Sequence, residues 1–353
     1  MSRIAVAMSG GVDSSVTAAL LKQQGHELIG LTMRLFEPHT SGPGSATHDA
    51  AAVARQLGIP HHLLDLEPDF QQLIVDDFVE QYRLGQTPNP CIRCNRHIKF
   101  GLLLDKAREL GAELLATGHY VRKTVDPDGT CHLRMAANRA KDQSYFLYSL
   151  TQERLRQIIF PLGEIASKDE VRRLATEFGL PVAAKGDSQE VCFIPNDDYV
   201  GFLECRDRCF GRPGEIVHLD GRTLGRHNGI HCYTIGQRKG LGIGWSEPLY
   251  VLAIDAASNR VVVGEQQHLL KPGLEADEVS WLIPPTGTVF ETTCKIRYRH
   301  QPVPCRVEVL AEGRCRVRFH EPQRSVTPGQ YLVCYQDDQV LGGGRIVTPC
   351  DTP

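Results

Sequence analysis

The sequence has little of what marks a membrane, secreted or strongly nucleic-acid-binding protein. Of its 353 residues only 7% are aromatic, and no apolar run is long enough to cross a bilayer. The net charge is only -3, so a general basic excess cannot drive RNA binding, and any RNA surface has to be local. We expect neither a signal peptide nor a membrane segment, and we predict a cytoplasmic protein.

Cysteine, by contrast, is abundant, with twelve residues in the chain. In a cytoplasmic protein thiols serve chemistry or ligation more often than structural disulfides. Four of them are predicted to be strand residues of the core or of a strand face: Cys294, Cys305, Cys315 and Cys334. Cys91, Cys94 and Cys192 lie instead in segments that look like loops, where a reactive group is more useful.

Residues 7–15, Ala-Met-Ser-Gly-Gly-Val-Asp-Ser-Ser, follow a short apolar run and precede an amphipathic one. This order predicts a strand, a glycine turn and a helix, with backbone N–H groups directed at an anion. A Walker A loop would need a lysine followed by Ser or Thr, and this loop has no lysine. The loop is therefore predicted to bind phosphates without transferring the γ-phosphoryl group.

Predicted strands and helices alternate through the first part of the chain, which indicates an α/β domain with a doubly wound parallel sheet. Beyond about residue 205 the helical period fades, and glycine-rich turns separate short strands. A Lys-Pro-Gly turn at residues 271–273 suggests a further boundary. We predict three domains, over residues 1–204, 205–270 and 271–353, of which the second and third are rich in β-structure.

Residues 87–95 place two prolines ahead of Cys91 and Cys94, which are predicted to begin a helix. A cysteine at a helix N-terminus has a lowered pKa, so we predict reactive thiols there. A thiolate or persulfide is a suitable nucleophile for an adenylated carbonyl carbon. A structural zinc site that uses both cysteines with His97 or His119 is an alternative.

Two further patterns stay open. Cys205 and Cys209 have the spacing of a ligand pair, but no suitably spaced second pair follows them. Two basic trios alternate along predicted strands of the last domain: Lys295, Arg297 and Arg299, then Arg314, Arg316 and Arg318. Alternation at period two places each trio on one strand face, where it either contacts RNA or is solvated.

Taken together, these motifs resemble those of bacterial tRNA-uridine 2-sulfurtransferases, which are pyrophosphate-loop ATP pyrophosphatases. The matching segments cover nearly the whole chain in order: residues 9–15, 87–95, 117–120, 141–145, 187–193, 236–242, 297–298 and 328–330. The resemblance implies an N-terminal domain similar to adenine-nucleotide α-hydrolases, a small central domain and a C-terminal β-barrel that contacts tRNA.

The resemblance also implies the reaction. ATP, with Mg²⁺, adenylates O2 of the wobble uridine in the tRNAs for Lys, Glu and Gln, and sulfur then replaces that oxygen. The implied nucleotide-binding residues are Ala7, Met8, Ser9, Gly10, Gly11, Val12, Asp13, Ser14, Met33 and Gly118. Cys192 matches the cysteine that carries a persulfide, and Cys94 matches the partner thiol that completes the transfer or resolves it as a disulfide.

The implied partners are tRNA and a sulfur donor such as a cysteine desulfurase or a sulfur-relay protein. The positions that match tRNA contacts are Asn89, Pro90, Cys91, His119, Lys141, Asp142, Gln143, Arg297, Tyr298 and Gln330. Many family members have Asp where this chain has Cys91. With a cysteine there, Cys91, Cys94 and Cys192 could bind a [4Fe–4S] cluster that holds a sulfide, whereas a persulfide route needs only two of the three.

Two other functions fit parts of the pattern. One is a different pyrophosphate-loop enzyme, an ATP-dependent ligase or amidotransferase, which would need no sulfur chemistry. The other is a metal-bound RNA-binding protein whose glycine loop only holds a nucleotide.

Overall fold

The computed structural model describes residues 2–36, 45–186, 191–207 and 209–351. Its strands are β1 Arg3–Ala7, β2 Glu27–Arg34, β3 His61–Asp65, β4 Leu114–Ala116, β5 Val121–Val125, β6 Cys131–Met135, β7 Ile158–Ile159, β8 Gly214–His218, β9 Thr223–His227, β10 Leu249–Asp255, β11 Arg260–Glu265, β12 Leu270–Trp281, β13 Val289–Lys295, β14 Val303–Leu310, β15 Arg314–Arg324, β16 Tyr331–Gln336 and β17 Gln339–Cys350. The α-helices are α1 Val12–Gln23, α2 Ala46–Leu57, α3 Glu67–Phe70, α4 Asp76–Arg83, α5 Pro90–Arg93, α6 Leu103–Glu109, α7 Gln152–Arg156, α8 Lys168–Glu177 and α9 Tyr199–Arg206.

The N-terminal sheet has the strand order β3-β2-β1-β4-β7, and all its pairings are parallel. Ile4, Ala5 and Val6 of β1 have no solvent exposure, as expected for a central strand with both faces covered. The strand order reverses at β1, between β2 and β4, so a crevice opens at the carboxyl ends of β1 and β4. The prediction of a doubly wound parallel sheet is confirmed. The two-residue strand β7 is too short to leave a period in the sequence.

Two helical runs form a layer beside this sheet, and each contains a π-helical segment, at Gln71–Val75 and at Cys94–Leu102. Phe193 packs edge-on against Phe70 and Phe78, with ring centroids 5.6 and 5.3 Å apart. Leu203 of α9 belongs to the same apolar cluster, and so does Cys94. This cluster therefore fixes the residue after Cys192 against the helix that carries Cys94.

The central domain is a four-stranded sheet with the order β10-β11-β8-β9. The antiparallel hairpin of β8 and β9 turns at residues 219–222. Val251, Val261 and Val263 form its core and are completely buried. No helix in the described ranges is long and apolar enough to span a membrane.

Strands β12 to β17 close into a six-stranded barrel, because β12 pairs with both β15 and β17. The four cysteines predicted to be strand residues, Cys294, Cys305, Cys315 and Cys334, are all fully buried in its core. The barrel is tied to the N-terminal domain through β17, which pairs with β6 at Gln339 and Arg134. Arg122 and Arg134 of the N-terminal domain also form ion pairs with Asp338.

The prediction of one strand face is wrong for the first basic trio. Lys295 is the last residue of β13, and the other two members lie in the turn that follows. The second trio lies on β15 as predicted, but Arg314 and Arg316 pair with Glu275 at N–O distances of 2.7 and 2.9 Å. Two of its three guanidinium groups therefore share one carboxylate on the barrel surface, and Arg316 also pairs with Glu308 at 3.4 Å.

Candidate active site

The glycine loop leaves the carboxyl end of β1 and enters α1, at the crevice between β1 and β4. Gly10 has φ +67°, and a Cβ atom there would lie 2.2 Å from the carbonyl oxygen of Ala46. A Cβ on Gly118, which follows β4, would lie 2.9 Å from the backbone nitrogen of Ser14. Both positions therefore need glycine so that neighbouring backbone segments can pack against the start of α1.

Hydroxyl groups brace the loop from inside. The backbone N–H of Ser9 donates to Ser14 Oγ at 3.2 Å, while Ser14 and Ser15 donate to the carbonyl of Gly11 at 3.1 and 2.8 Å. Gly11 is the N-cap of α1 and supplies no side-chain acceptor for the first turn. The N–H groups of that turn are thus left for a ligand at the positive end of the helix, which is the arrangement that binds phosphates.

Two lysines from distant parts of the chain converge on this loop. Lys168 Nζ donates to both carboxylate oxygens of Asp13, at 2.7 and 2.8 Å, and Tyr120 OH donates to one of them at 2.6 Å. Lys185 Nζ donates to the carbonyl of Gly10 at 3.1 Å and to Asp49 at 2.6 Å. The loop lacks a lysine of its own, and these two residues bring positive charge to it through the fold.

Sequence reasoning missed both lysines. The only available signal was the capping box at residues 167–170, where Ser167 Oγ accepts from the backbone N–H of Glu170 at 3.1 Å. That motif predicts where α8 begins, and Lys168 is the first residue of the helix. It carries no information about what the first turn faces, because that is decided by how α8 packs on α1.

The structure brings together the three cysteines that the sequence placed in loops. Cys91 lies in α5, Cys94 begins the π-helical segment that continues it, and Cys192 follows residues 187–190, which lie outside the described ranges. The charge of a Cys192 thiolate interacts with those of Cys94 and Cys91. All three are free thiols, with Cys94 buried and the other two exposed.

The prediction of lowered thiol pKa values is wrong. Burial, reinforced by the neighbouring thiols, raises the pKa of Cys192 to about 12, and burial raises that of Cys94 to about 11. Loss of hydration outweighs both the helix N-terminus and the nearby cation of Lys99, which lowers the pKa of all three thiols. Solvent still reaches Cys91 and Cys192, which limits the rise in pKa at those two thiols.

The zinc alternative finds little support in the geometry. His119 is buried, with Nδ1 2.8 Å from Thr117 Oγ1 and its ring packed against Phe100 at 5.6 Å. Burial holds the pKa of His119 well below its usual value, so the ring is neutral. Within the described residues, no group of three ligand atoms within 4.8 Å of one another includes Cys91 or Cys94.

Asp142 and Gln143 are anchored to the chain at the two ends of the β5–β6 hairpin. Asp142 is buried and accepts hydrogen bonds from the backbone of Ala136 at 2.9 Å and from Ser144 Oγ at 2.8 Å. Gln143 accepts from the backbone N–H of Tyr120 at 2.9 Å. Asp142 and Gln143 therefore shape this turn.

The barrel supplies the remaining predicted tRNA positions. Tyr298 is half-buried, and its ring centroid lies 4.4 Å from that of Phe146. Burial and the charge of Asp142 raise the pKa of its hydroxyl, and the charge of Lys141 lowers it. Gln330 Nε2 donates to the carbonyl of Thr87 at 2.9 Å, and the Thr87 N–H donates to Pro328 at 3.0 Å. Through this contact the barrel docks on the loop that carries Asn89, Pro90 and Cys91. Arg297 is exposed beside Tyr298, and Met33 is half-buried at the end of β2.

Three family models match the chain in succession. They are described as the tRNA methyl transferase HUP domain, over residues 2–196, the tRNA methyl transferase PRC-barrel domain, over residues 205–265, and the aminomethyltransferase β-barrel domain, over residues 271–346. Full-length relatives decide the family. The tRNA-specific 2-thiouridylase MnmA of Trichlorobacter lovleyi is 75% identical over 99% of both chains.

The chain belongs to the tRNA-specific 2-thiouridylase family. Another member, from Geobacter metallireducens, is 54% identical over 98% of this chain and 96% of its own. Among solved structures, a 4-thiouridine synthetase in complex with RNA and ATP is 20% identical over 58% of this chain and 50% of its own, with a TM-score of 0.37.

Proposed function

We propose that this protein is the sulfurtransferase that converts the wobble uridine of the tRNAs for Lys, Glu and Gln to 2-thiouridine, using ATP. The observation that carries the proposal is the contiguity of two sites. Gly118 packs on the nucleotide loop, and the next residue, His119, packs against Phe100 with ring centroids 5.6 Å apart. Phe100 belongs to the π-helical segment that begins at Cys94. An activated uridine can therefore meet sulfur without leaving the crevice.

In the first step, O2 of the uridine attacks the α-phosphorus of ATP. The bond from that phosphorus to the bridging oxygen breaks, pyrophosphate leaves, and the uridine carries an adenylate on O2. The N–H groups at the start of α1 bind the phosphates, and Lys168 and Lys185 bring positive charge to the leaving pyrophosphate. Mg²⁺ would bind mainly to the phosphate oxygens of ATP and would offset their negative charge, and Asp13 is the carboxylate in the loop that would help to hold it.

In the second step, the terminal sulfur of a Cys192 persulfide attacks C2, and AMP leaves. Cys94 then attacks Cys192 Sγ, which releases the thiocarbonyl on the tRNA and leaves a Cys94–Cys192 disulfide for an external reductant. The thiol of Cys94 is buried and protonated at neutral pH, so it stays inert until the partner sulfur is in place. Lys99 lowers the cost of forming its thiolate at that moment.

The three thiols of Cys91, Cys94 and Cys192 also fit as ligands of a [4Fe–4S] cluster. Each thiolate of a cluster binds a different iron, so the sulfur atoms lie farther apart than the ligands of a single metal ion do. Bound there, a cluster would supply an iron with an open position for sulfide. Iron and acid-labile sulfide after anaerobic purification decide between the carriers. Iron lost in Cys91→Ala supports the cluster, and iron absent from the wild type, with thiolation intact on a persulfide donor, supports the persulfide.

We further propose that tRNA binds where the barrel docks on residues 87–91, with contacts from Asn89, Arg297, Tyr298 and Gln330. The hydrogen bonds of Thr87 with Gln330 and Pro328 support this by joining the two surfaces. A cysteine desulfurase or a relay protein would load sulfur on Cys192, which is exposed. The free state of all twelve cysteines supports a reducing compartment, the cytoplasm.

The test compares Cys192→Ser with Asp13→Ala in two assays, 2-thiouridine formation and tRNA-dependent pyrophosphate release. Both variants should lose thiolation, but only Asp13→Ala should lose pyrophosphate release, because adenylation needs no thiol. Cys350→Ser, outside the site, is the matched control. Full 2-thiouridine formation by a Cys94/Cys192 double variant would overturn the thiol assignment. No 2-thiouridine from the wild type, with pyrophosphate release unchanged in that double variant, would favour a ligase or amidotransferase. Pyrophosphate release at the same rate without tRNA would exclude RNA as the substrate.

A further inference from the structure

A second group of ligand-type side chains lies away from the ATP and thiol site, where α9 meets the central domain. Glu204 belongs to α9, while His231 and Cys232 belong to the short 3₁₀-helix Ile230–Cys232. A carboxylate oxygen, an imidazole nitrogen and a sulfur of these residues lie within 4.8 Å of one another. In the described part of the chain, no other three His, Cys, Asp or Glu residues do so.

The distances match those of ligands around one tetrahedral zinc ion. His231 Nε2 lies 3.2 Å from Glu204 Oε1 and 3.6 Å from Cys232 Sγ. Bond lengths of about 2.05 Å to nitrogen and oxygen and about 2.3 Å to sulfur, at a tetrahedral angle, separate N from O by about 3.3 Å and N from S by about 3.6 Å. Hydrogen bonds alone explain the group less well, because a single Nε2–H cannot donate fully to both neighbours.

The imidazole is held in this orientation by its surroundings. His231 is only 1% exposed, and its ring centroid lies 5.1 Å from that of Phe210. A Cβ on Gly229 would lie 2.5 Å from His231 Nδ1, so the glycine leaves the space that the ring occupies. Among the described atoms Nδ1 has no hydrogen-bond partner, and Nε2 is the nitrogen that faces polar groups.

We propose that Glu204, His231 and Cys232 bind one Zn²⁺ ion, with water in the fourth position. The ion joins α9 to the central domain. Leu203, the neighbour of Glu204, packs in the apolar cluster that contains Phe193, the residue after Cys192. The site therefore fixes the base of the sulfur-carrying segment and takes no part in the chemistry. Cys205 and Cys209, the pair for which the sequence offers no second ligand pair, follow Glu204 in the chain but lie outside the group.

The experiment uses the full chain carrying Cys94→Ala and Cys192→Ala, so that metal at the thiol site does not contribute. After addition of Zn²⁺ and desalting, we expect about one zinc per chain, and Co²⁺ in its place should give the intense tetrahedral d–d bands and the thiolate-to-cobalt charge-transfer band. Cys232→Ser should remove the charge-transfer band, and His231→Gln should remove the metal. Glu204→Gln, at an exposed position, weakens binding without disturbing the core.

Cys350→Ser in the same background is the matched control and should keep both the metal and the band. Zinc content that is unchanged in His231→Gln and Cys232→Ser would overturn the proposal. So would a cobalt complex without thiolate absorption, or a chain that retains no zinc. Because these readouts are metal content and absorption, they do not depend on whether the protein thiolates tRNA.

Discussion

Replacing Lys168 tests whether distant lysines supply the positive charge that the glycine loop lacks. We expect Lys168→Met, which keeps most of the apolar stem, to lower kcat/KM for tRNA-dependent pyrophosphate release by about 100-fold. The basis is the geometry at Asp13, where Lys168 makes two short charge-assisted hydrogen bonds with only 13% of its side chain exposed. A charged hydrogen bond from Lys168 to the leaving pyrophosphate, made only in the transition state, would stabilise that state by about 1.5–3 kcal/mol, which corresponds to a factor of about 10 to 150 in rate.

The loss has to be separated from a purely structural effect. Lys168→Met leaves the Asp13 carboxylate without the lysine that neutralises it. Because Asp13 is one-third exposed, we expect the free energy of unfolding to fall by about 1 kcal/mol, less than for a fully buried charge. Adding Asp13→Asn should restore that stability but not the activity. Lys168→Arg keeps the charge and should recover part of the rate.

Lys22→Met is the matched control, because Lys22 is an exposed lysine in the last turn of α1. It should release pyrophosphate at the wild-type rate. If Lys168→Met does so too, with ATP and tRNA well below saturation, Lys168 does not act on the phosphates. A raised KM with unchanged kcat would assign it to ATP binding, and a lowered kcat would assign it to the leaving group.

Two further predictions concern the thiols and the barrel. Because burial raises the pKa of Cys94 and Cys192, the rate at which iodoacetamide alkylates them, followed by peptide mass spectrometry, should still rise above about pH 10, where a free thiol of pKa about 8.5 is almost fully ionised. Lys99→Met should move this pH profile higher still, and a plateau at or below about pH 8 would contradict the raised pKa values. Gly329→Ala should destabilise the protein and weaken tRNA binding, because a Cβ there, at φ +88°, would lie 2.9 Å from the Thr87 nitrogen that docks the barrel. Gly313→Ala is the control, because Gly313 has a similar φ of +66° but no atom within 4 Å of the Cβ position. It therefore measures only the backbone strain of a left-handed residue, about 1 kcal/mol. An equal fall in melting temperature in the two variants would show that the close contact at Gly329 does not matter.

The local parts of the site followed from the sequence. A strand, two glycines and a helix start are contiguous, and their spacing already implies an anion site whatever the rest of the chain does. The alternation of strands and helices predicted the parallel sheet, and the strand cysteines of the last domain are buried as expected. The prediction for the first basic trio failed because the alternation of basic residues continues past the end of β13, where the chain turns.

What the sequence by itself determined, then, was each feature whose residues are neighbours along the chain, together with the family, which the motifs identify jointly. Tertiary structure alone decided the charges and the ionisation. Lys168 reaches Asp13 across 155 positions, and the Gln330 amide reaches Thr87 across 243. The thiol pKa values rise where a helix N-terminus predicts a fall, because desolvation depends on how many protein atoms surround a group. No local pattern records that number, since it is set by packing between segments far apart in the chain.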